Sequence, residues 1–282
     1  MKILRNKTAL AAYISEAKAS KKSIGFAPTM GALHQGHLSL YEAARPENDL
    51  VISSIFVNPT QFNNPEDLEK YPRTIEEDLK KLEDSGLVDA VYIPEISDIY
   101  PEKAVAKSYD FDGLEQEMEG KMRPGHFDGV GTVVESLFSQ VQPDRAYFGE
   151  KDYQQLEIIK KLVEKQNLPI QIYGVPIYRE ANGLAMSSRN QRLSATERAE
   201  ASIIFQTLTQ VKNDFKTLSI PEIKQKVEAI FKAQPQFDLE YFLIADEATL
   251  KEVQTTEPHR NYRAFIVVNV GGVRLIDNMP LS

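Results

Sequence analysis

The sequence predicts an α/β protein in which a parallel sheet, with helices on both faces, is followed by a smaller α+β unit. Apolar strand-like segments alternate with helix-like segments through the first two-thirds of the chain, as in βαβ units. This alternation stops after Asn190, where two helical segments precede a strand and a hairpin with a Gly271–Gly272 turn. We therefore predict two domains, 1–180 and 181–282.

The individual elements follow from local patterns. Residues Thr74–Glu77 and Ser194–Glu197 fit the capping box that begins a helix. The predicted strands are a short N-terminal strand, 23–27, 50–57, 88–93, 145–148, 169–175, 239–244 and the hairpin 262–278. The predicted helices are one near the N-terminus, 36–45, 74–84, 126–140, 151–165, 194–215 and 221–233.

The composition limits the classes of function. The chain has 282 residues, 42% of them hydrophobic and 26% charged, with no cysteine and a formal net charge of −8. The absence of cysteine excludes disulfides and thiolate metal sites and favours a cytoplasmic protein. No apolar run approaches the length of a membrane span, and the acidic balance argues against nucleic-acid binding. A site for anionic substrates must therefore be locally basic.

The segment PTMGALHQGH, residues 28–37, lies between a predicted strand and a predicted helix. Ligands of open α/β sheets bind at the carboxyl ends of strands, and free N–H groups at a helix start favour phosphate. Gly31 and Gly36 allow close approach to the backbone, and His34 and His37 add donors. Two exposed histidines at a helix start remain an alternative. A zinc site is disfavoured because zinc needs three or four protein ligands.

Two further segments place polar side chains after predicted strands. SIFVNPTQF ends a buried strand with the amides Asn58 and Gln61, which suit a small polar ligand, although a plain Asn-Pro turn is the alternative. FGEKDYQQL puts Lys151 near a helix start, where a cation opposes the dipole and therefore suggests a functional role. Asp152 suits ribose hydroxyls, and Gln155 follows one turn later.

Cations and hydroxyls also gather in two predicted loops. GLAMSSRNQRLS, residues 183–194, contains Arg189, which suits bidentate phosphate binding, although the segment also reads as an interdomain linker. KMRPGHFDGV, residues 121–130, places Arg123 and His126 just before a helix. Neither a Walker phosphate loop nor a hydrolase nucleophile motif is present in the sequence.

Together these segments resemble the pantothenate synthetase family, the pantoate–β-alanine ligases. The resemblance covers nearly the whole chain. In order, it runs through PTMGALHQGH, SIFVNPTQF, YPRT, MRPGHFDGV, PDRAYFGEKDYQQL, GLAMSSRNQRLS and the tail RLIDNMPL. An HxGH motif alone would indicate only the wider nucleotidyltransferase superfamily. The resemblance implies a Rossmann-like doubly wound parallel sheet, a smaller C-terminal α+β lid domain and a homodimer.

The resemblance also implies a reaction, the ATP-dependent condensation of (R)-pantoate with β-alanine. The pantoate carboxylate attacks the α-phosphate of ATP, giving pantoyl adenylate and pyrophosphate. The amine of β-alanine then displaces AMP to give pantothenate. ATP is a substrate, and Mg²⁺ accompanies it. No covalent protein nucleophile is needed, which fits a chain without cysteine.

The resemblance assigns residues to roles, with Lys151 on phosphate, Asp152 on ribose and the backbone of Tyr178 on adenine. The implied catalytic residues are His34, His37, Lys151 and Arg189. The implied ATP-binding residues are Met30, Gly31, Ala32, Leu33, His34, Gln35, Gly36, His37, Gly149, Glu150, Lys151, Asp152, Tyr178, Met186, Ser187, Ser188 and Arg189. The implied substrate-binding residues are Asn58, Gln61, Arg123 and Gln155. Magnesium is assigned to Asp78, with its neighbour Glu77 left as the alternative acid.

Three other functions fit part of this pattern. An adenylyltransferase of the same superfamily could act on another small acid or phosphate acceptor, but Gln61 and Gln155 are placed for a small hydroxy acid. A non-catalytic nucleotide sensor would not need the four implied catalytic residues together. A tRNA-binding synthetase is disfavoured by the acidic balance and by the absence of an anticodon-type domain.

Overall fold

The computed structural model describes residues 1–281, which form two compact units. The first unit comprises Met1–Glu150 and Gln154–Pro176, and the second comprises Lys151–Tyr153 and the chain from Ile177 onward. The main division therefore falls after Pro176, slightly earlier than the predicted boundary at 180. The structure also groups Lys151–Tyr153 with the second unit, whereas the sequence analysis placed these residues in the first domain.

The first unit is built on a six-stranded sheet in which every pairing is parallel. Its strands are β1 (Lys2–Leu4), β2 (Ile24–Thr29), β3 (Leu50–Ile55), β4 (Ala90–Tyr92), β5 (Arg145–Gly149) and β6 (Gln171–Val175). All six residues of β3 are buried, as expected for a strand covered on both faces. The predicted parallel sheet is confirmed.

Helices flank this sheet. They are α1 (Lys7–Ala19), α2 (Gln35–Ala44), α3 (Pro65–Glu69), α4 (Ile75–Ser85), α5 (Ile96–Ile99), α6 (Met118–Met122), α7 (His126–Val141) and α8 (Tyr153–Lys165). The helix predicted over 151–165 begins later, because Glu150–Asp152 forms a 3₁₀ turn. The capping box predicted at Thr74 is wrong, since Thr74 makes no side-chain cap and its hydroxyl donates to Asp78 instead.

The strand order β1-β4-β3-β2-β5-β6 identifies a switch point between β2 and β5. From β2 the chain first adds β3 on one side and later adds β5 on the other. Ligands of doubly wound sheets bind outside the carboxyl ends of strands at such a point. The segments that follow β2, β3 and β5 are the ones that carry the sequence motifs around Met30, Asn58 and Gly149.

The second unit contains a three-stranded antiparallel sheet, β7-β8-β9, and a hydrophobic core of its own. Its elements are α9 (Ala195–Glu200), α10 (Ser202–Asp214), α11 (Ile220–Lys232), β7 (Asp238–Asp246), β8 (Tyr262–Val270) and β9 (Val273–Pro280). The capping box at Ser194 forms, but the helix predicted over 194–215 is divided at Ala201. Gly271 and Gly272 join β8 to β9 with φ of 56° and 70°, a left-handed conformation that suits the predicted turn.

No helix among residues 1–281 has an apolar stretch long enough to cross a bilayer.

Candidate active site

The loop between β2 and α2 turns sharply after the sheet. Gly31 and Ala32 both adopt left-handed backbone conformations, with φ of 80° and 50°. A Cβ on Gly31 would lie 3.0 Å from Oδ2 of Asp78, so close approach as well as conformation favours glycine there. His34 then occupies the N-cap of α2 with an extended backbone. The motif therefore forms a strand–loop–helix connection at the carboxyl end of β2.

Two side chains of α4, those of Asp78 and Lys81, form hydrogen bonds with the backbone of this loop. Asp78 is fully buried, and its Oδ2 and Oδ1 accept hydrogen bonds from the backbone N–H of Ala32 at 2.8 Å and of Leu33 at 2.7 Å. Lys81, one turn later, donates to the carbonyl oxygen of Leu33 at 2.9 Å. These charge-assisted bonds satisfy three backbone groups of a loop that lacks regular secondary structure.

These contacts do not fit the role of magnesium ligand that the resemblance implied for Asp78. Both of its oxygens serve the loop, and the side chain has no exposed surface through which a hydrated cation could be reached. We therefore interpret Asp78 as a residue that positions the loop.

Asp78→Asn tests this role. Asparagine has one acceptor oxygen, so one of the N–H groups of Ala32 and Leu33 loses its partner, at a cost of about 1.5–3 kcal/mol in the free energy of unfolding. We expect a lower melting temperature and lower turnover, with an unchanged magnesium concentration for half-maximal activity. Glu76→Gln, at an exposed position of the same helix that has no assigned role, is the matched control. A large shift in the magnesium requirement of Asp78→Asn would return the metal role to this residue.

The imidazoles of His34 and His37 lie together at the start of α2. Their ring centroids are 4.0 Å apart, and the ring planes are tilted by 32°. Nδ1 of His37 accepts a hydrogen bond from the backbone N–H of His34 at 3.2 Å. Nδ1 must be unprotonated to accept this bond, so the proton of a neutral His37 is on Nε2. A neutral His37 therefore carries its ring donor on Nε2.

Asn58 lies just beyond β3, and its amide organises the segment that carries Gln61. The side chain is 1% exposed; its Nδ2 donates to Oε1 of Gln61 at 3.2 Å and to the carbonyl of Gly129 at 3.1 Å. Its Oδ1 accepts from the hydroxyl of Tyr100 at 2.6 Å. Burial raises the pKa of Tyr100, so the phenol stays protonated and continues to donate. Direct contact with substrate, which was predicted for Asn58, does not fit this burial.

The backbone of Gln61 is held by Arg123, which follows α6, and by His126, the first residue of α7. Its carbonyl lies 2.8 Å from Nδ1 of His126 and 3.2 Å from Nη2 of Arg123. A Cβ on Gly129 would come within 2.4 Å of the carbonyl oxygen of Thr60, so only glycine allows this close packing. The structure thus brings Arg123 and Gln61, both predicted as substrate residues, next to each other.

Two adjacent glutamines on α8 have different environments. Gln154 is buried, and its amide bonds the carbonyls of Leu114 and Glu117 at 2.8 Å and the N–H of Glu119 at 3.0 Å. Gln155 is half-buried, and the hydrogen bonds that hold Gln154 do not involve it. Gln154 is therefore structural, and Gln155 is the one whose amide remains available for a ligand.

Lys151, the first of the predicted phosphate-binding cations, belongs to the second unit. Its side chain is largely shielded, and its Nζ lies 4.0 Å from Oδ2 of the exposed Asp152. Nearby, Asp277 forms a two-pronged ion pair with Arg179, at 2.6 and 3.0 Å. Burial raises the pKa of Asp277 above the ordinary value for aspartate, and the charges of Arg179 and Lys151 act against that rise.

The predicted adenine and phosphate segments form a small hairpin in the second unit. An isolated antiparallel bridge joins Arg179 to Ala185, and the N–H of Met186 donates to the carbonyl of Tyr178 at 3.0 Å. Ser187 then caps a short 3₁₀ helix, Ser188–Arg192, by accepting from the N–H of Arg189 at 3.3 Å. Tyr178, Met186 and Arg189 are thus carried by one connected piece of chain.

Comparisons with known proteins give the family. The family model for pantoate-beta-alanine ligase matches residues 2–280. The chain belongs to the pantoate–β-alanine ligase family. A pantothenate synthetase from Flavobacterium psychrophilum is 52% identical over 282 residues, covering all of both chains. One from Bacteroides thetaiotaomicron is 44% identical over 279 residues, 99% of this chain and 98% of its own.

Solved structures agree with this assignment. The crystal structure of a pantothenate synthetase from Thermus thermophilus matches with a TM-score of 0.91 and 38% identity, over 100% of this chain and 99% of the other. A pantoate-beta-alanine ligase from Francisella tularensis, complexed with beta-gamma ATP and beta-alanine, matches with a TM-score of 0.82 and 37% identity, over 100% and 98%. The protein is therefore a ligase with the Rossmann-like fold that the resemblance implied.

Sequence reasoning missed the residues that hold the site. Lys81 and Tyr100 belong to no motif, and their contacts with Leu33 and Asn58 join positions 48 and 42 residues apart in the sequence. No local signal could have identified them. Residues 277–278 were part of the quoted tail RLIDNMPL, but the motif alone indicated no role for them.

Proposed function

We propose that the protein condenses pantoate with β-alanine through a pantoyl-adenylate intermediate, with the residue roles described below. The observation that carries this proposal is the match of the pantoate–β-alanine ligase family over residues 2–280. The glycine-containing loop and paired histidines at the carboxyl end of β2 support it, since they supply backbone and imidazole donors where a nucleotide phosphate is expected.

In the first step, a carboxylate oxygen of pantoate attacks the α-phosphorus of ATP, and the bond from that phosphorus to the bridging oxygen breaks. Negative charge therefore grows on the departing pyrophosphate. His37 donates from Nε2, Lys151 and Arg189 supply positive charge, and the Met30–His37 loop supplies backbone donors. Such a transfer needs mainly positioning and charge stabilisation rather than a protein nucleophile.

In the second step, the amine of β-alanine attacks the carbonyl carbon of pantoyl adenylate, and the bond to the AMP oxygen breaks. AMP leaves with the oxygen that came from pantoate, and the amine loses a proton. Gln61 and Gln155 hold the pantoyl group through its hydroxyl and carbonyl oxygens, with Arg123 beside Gln61. Asp152 binds the ribose, and the backbone of Tyr178 meets the adenine.

The two glutamines of α8 give a matched test of substrate binding. Gln155→Ala is expected to raise the KM for pantoate roughly ten- to a hundredfold, as for a lost hydrogen bond of about 1.5–3 kcal/mol to a charged group. Its melting temperature should stay close to that of the wild type. Gln154→Ala should instead lower the melting temperature and leave the KM for pantoate nearly unchanged. Steady-state kinetics and thermal unfolding of both variants decide, and an unchanged pantoate KM in Gln155→Ala would exclude this role.

Magnesium enters this proposal with ATP. Mg²⁺ is usually held by substrate phosphates and water together with one or two carboxylates, so the burial of Asp78 does not conflict with a magnesium requirement. We also propose that the protein works as a cytoplasmic homodimer whose second unit acts as a lid, as the resemblance implies. Light scattering of the purified protein at several concentrations tests the dimer.

One assay tests the reaction itself. The purified protein is incubated with ATP, Mg²⁺ and pantoate, with and without β-alanine, while AMP, pyrophosphate and pantothenate are followed. AMP and pantothenate should rise together, in equal amounts, only when β-alanine is present. Multiple turnovers of pyrophosphate release that do not depend on β-alanine would show that the adenylylating half is right and the acceptor is wrong. Absence of turnover in a folded protein that binds ATP would refute the proposal.

A further inference from the structure

The end of β9 contains two polar residues that the proposed reaction does not use, Asp277 and Asn278. Both are almost completely buried, at 4% and 2% exposed. Neighbouring residues of a strand point to opposite faces, so burial of both means that each face is covered at this point. Burying a carboxylate and an amide is costly unless every polar atom has a partner. The hydrogen-bond partners of Asp277 and Asn278 therefore indicate which parts of the chain these two residues hold.

Asn278 holds the Lys151–Tyr153 segment. Its Nδ2 donates to the carbonyl oxygen of Lys151 at 2.9 Å, and its Oδ1 accepts from Nη1 of Arg263 at 2.7 Å. Arg263 is 6% exposed, and its guanidinium lies over the ring of Tyr153, with the guanidinium carbon 3.9 Å from the ring centroid. One asparagine thus fixes the main chain at Lys151 and, through Arg263, supports the side chain at Tyr153.

Asp277 holds the hairpin that begins at Tyr178. Its carboxylate pairs with Arg179 through both oxygens, and Oδ1 also accepts from the N–H of Asn278 at 2.8 Å. Arg179 makes two further contacts. Its Nη1 donates to the carbonyl of Gly183 in the hairpin at 3.1 Å, and its guanidinium lies over the ring of Phe205, 4.3 Å from the centroid. Arg179 therefore anchors the hairpin on the strand.

We infer that Asp277 and Asn278 are positioning residues that hold Lys151 and the Tyr178–Arg189 hairpin in one fixed arrangement within the second unit. This inference rests on the proposed role of those two segments in binding ATP. Lysine has a long flexible stem, so the direction of its charge depends on where its main chain is held. A displacement of about 1 Å in a reacting complex can cost roughly a hundredfold in rate, so this anchor affects catalysis without contact with substrate.

The test uses Asn278→Asp. A carboxylate still accepts from Arg263 but cannot donate to the carbonyl of Lys151, and its second oxygen repels that carbonyl oxygen, so the variant breaks the anchor at Lys151. We expect kcat/KM for ATP to fall roughly ten- to a hundredfold. The KM for pantoate at saturating ATP should change by less than about twofold, because pantoate is assigned to side chains of the first unit. Asn278→Ser, which is neutral and too short to reach Lys151, provides the same comparison if the first variant does not fold.

Arg274→Ala is the matched control on the same strand. Arg274 pairs with Glu240 at 2.8 and 2.9 Å, and neither residue belongs to the proposed site. This change should lower the melting temperature without changing the ATP parameters. Normal ATP kinetics in a folded Asn278→Asp or Asn278→Ser would overturn the inference. It would also be overturned if the kinetic parameters for ATP and for pantoate worsened equally and in step with the fall in melting temperature. Failure of the wild type to make pantothenate, or full activity of Lys151→Ala, would refute the proposed function instead.

Discussion

His37→Ala is expected to lower the rate of pantoate-dependent pyrophosphate release by roughly a hundredfold or more, the usual effect of removing one donor to a developing charge. Nδ1 of His37 accepts from the N–H of His34, so the proton of the neutral ring is on Nε2. This Nε2 donor is what the variant removes. The hydrogen bond between His34 and His37 is a small part of the start of α2, so its loss should change the free energy of unfolding little. Rapid-quench measurement of the first turnover, with ATP and pantoate saturating, gives the rate directly.

His37→Asn separates the two roles of this residue. The asparagine oxygen can accept from the N–H of His34 as Nδ1 does, but no donor reaches the position of Nε2. We therefore expect His37→Asn to be as slow as His37→Ala while melting close to the wild type. Recovery of most of the activity in His37→Asn would mean that the helix cap, and not the Nε2 donor, is what the reaction needs.

Arg179→Ala is expected to destabilise the second unit by about 3–5 kcal/mol, because it leaves the buried carboxylate of Asp277 without its cation. Arg274→Ala removes an ion pair that is more exposed on both sides, and should cost less than about 1 kcal/mol. Urea unfolding of the two variants, followed by circular dichroism, compares them directly. The double variant Arg179→Met, Asp277→Leu should be more stable than Arg179→Ala, since it removes both buried charges together. Equal stability of Arg179→Ala and Arg274→Ala would show that the Asp277 carboxylate is not buried in solution.

The sheet was predictable because its signals are local. Runs of apolar residues such as Leu50–Ile55 are typical of strands buried on both faces, and the structure confirms the parallel sheet they predict. The turn at Gly271–Gly272 was predictable for the same reason, since two left-handed residues between strands leave few alternatives. The division of the helix predicted over 194–215 was not visible, because the apolar pattern continues through Ala201.

The site was predictable only where a motif states its own chemistry. The HxGH loop and Gln155 are site predictions that the sequence supports by motif, whereas the contacts of Asp78 and Asn58 depend on burial that no short window reveals. Asp78 reads as an exposed acid in the first turn of a helix, yet it is enclosed by a loop 45 residues earlier in the chain. Lys151–Tyr153 joins the second unit for a similar reason, because its partner Asn278 is 127 residues away.

The most direct test of the central claim, that pantoate is activated as its adenylate, is to follow an oxygen atom. Pantoate with ¹⁸O in both carboxylate positions is converted with ATP, Mg²⁺ and β-alanine, and the products are analysed by mass spectrometry. An adenylate requires one ¹⁸O to leave with AMP and the other to remain in the amide carbonyl of pantothenate. AMP free of label, with the ¹⁸O in inorganic phosphate beside ADP, would mean that the γ-phosphate activates pantoate and would contradict this account.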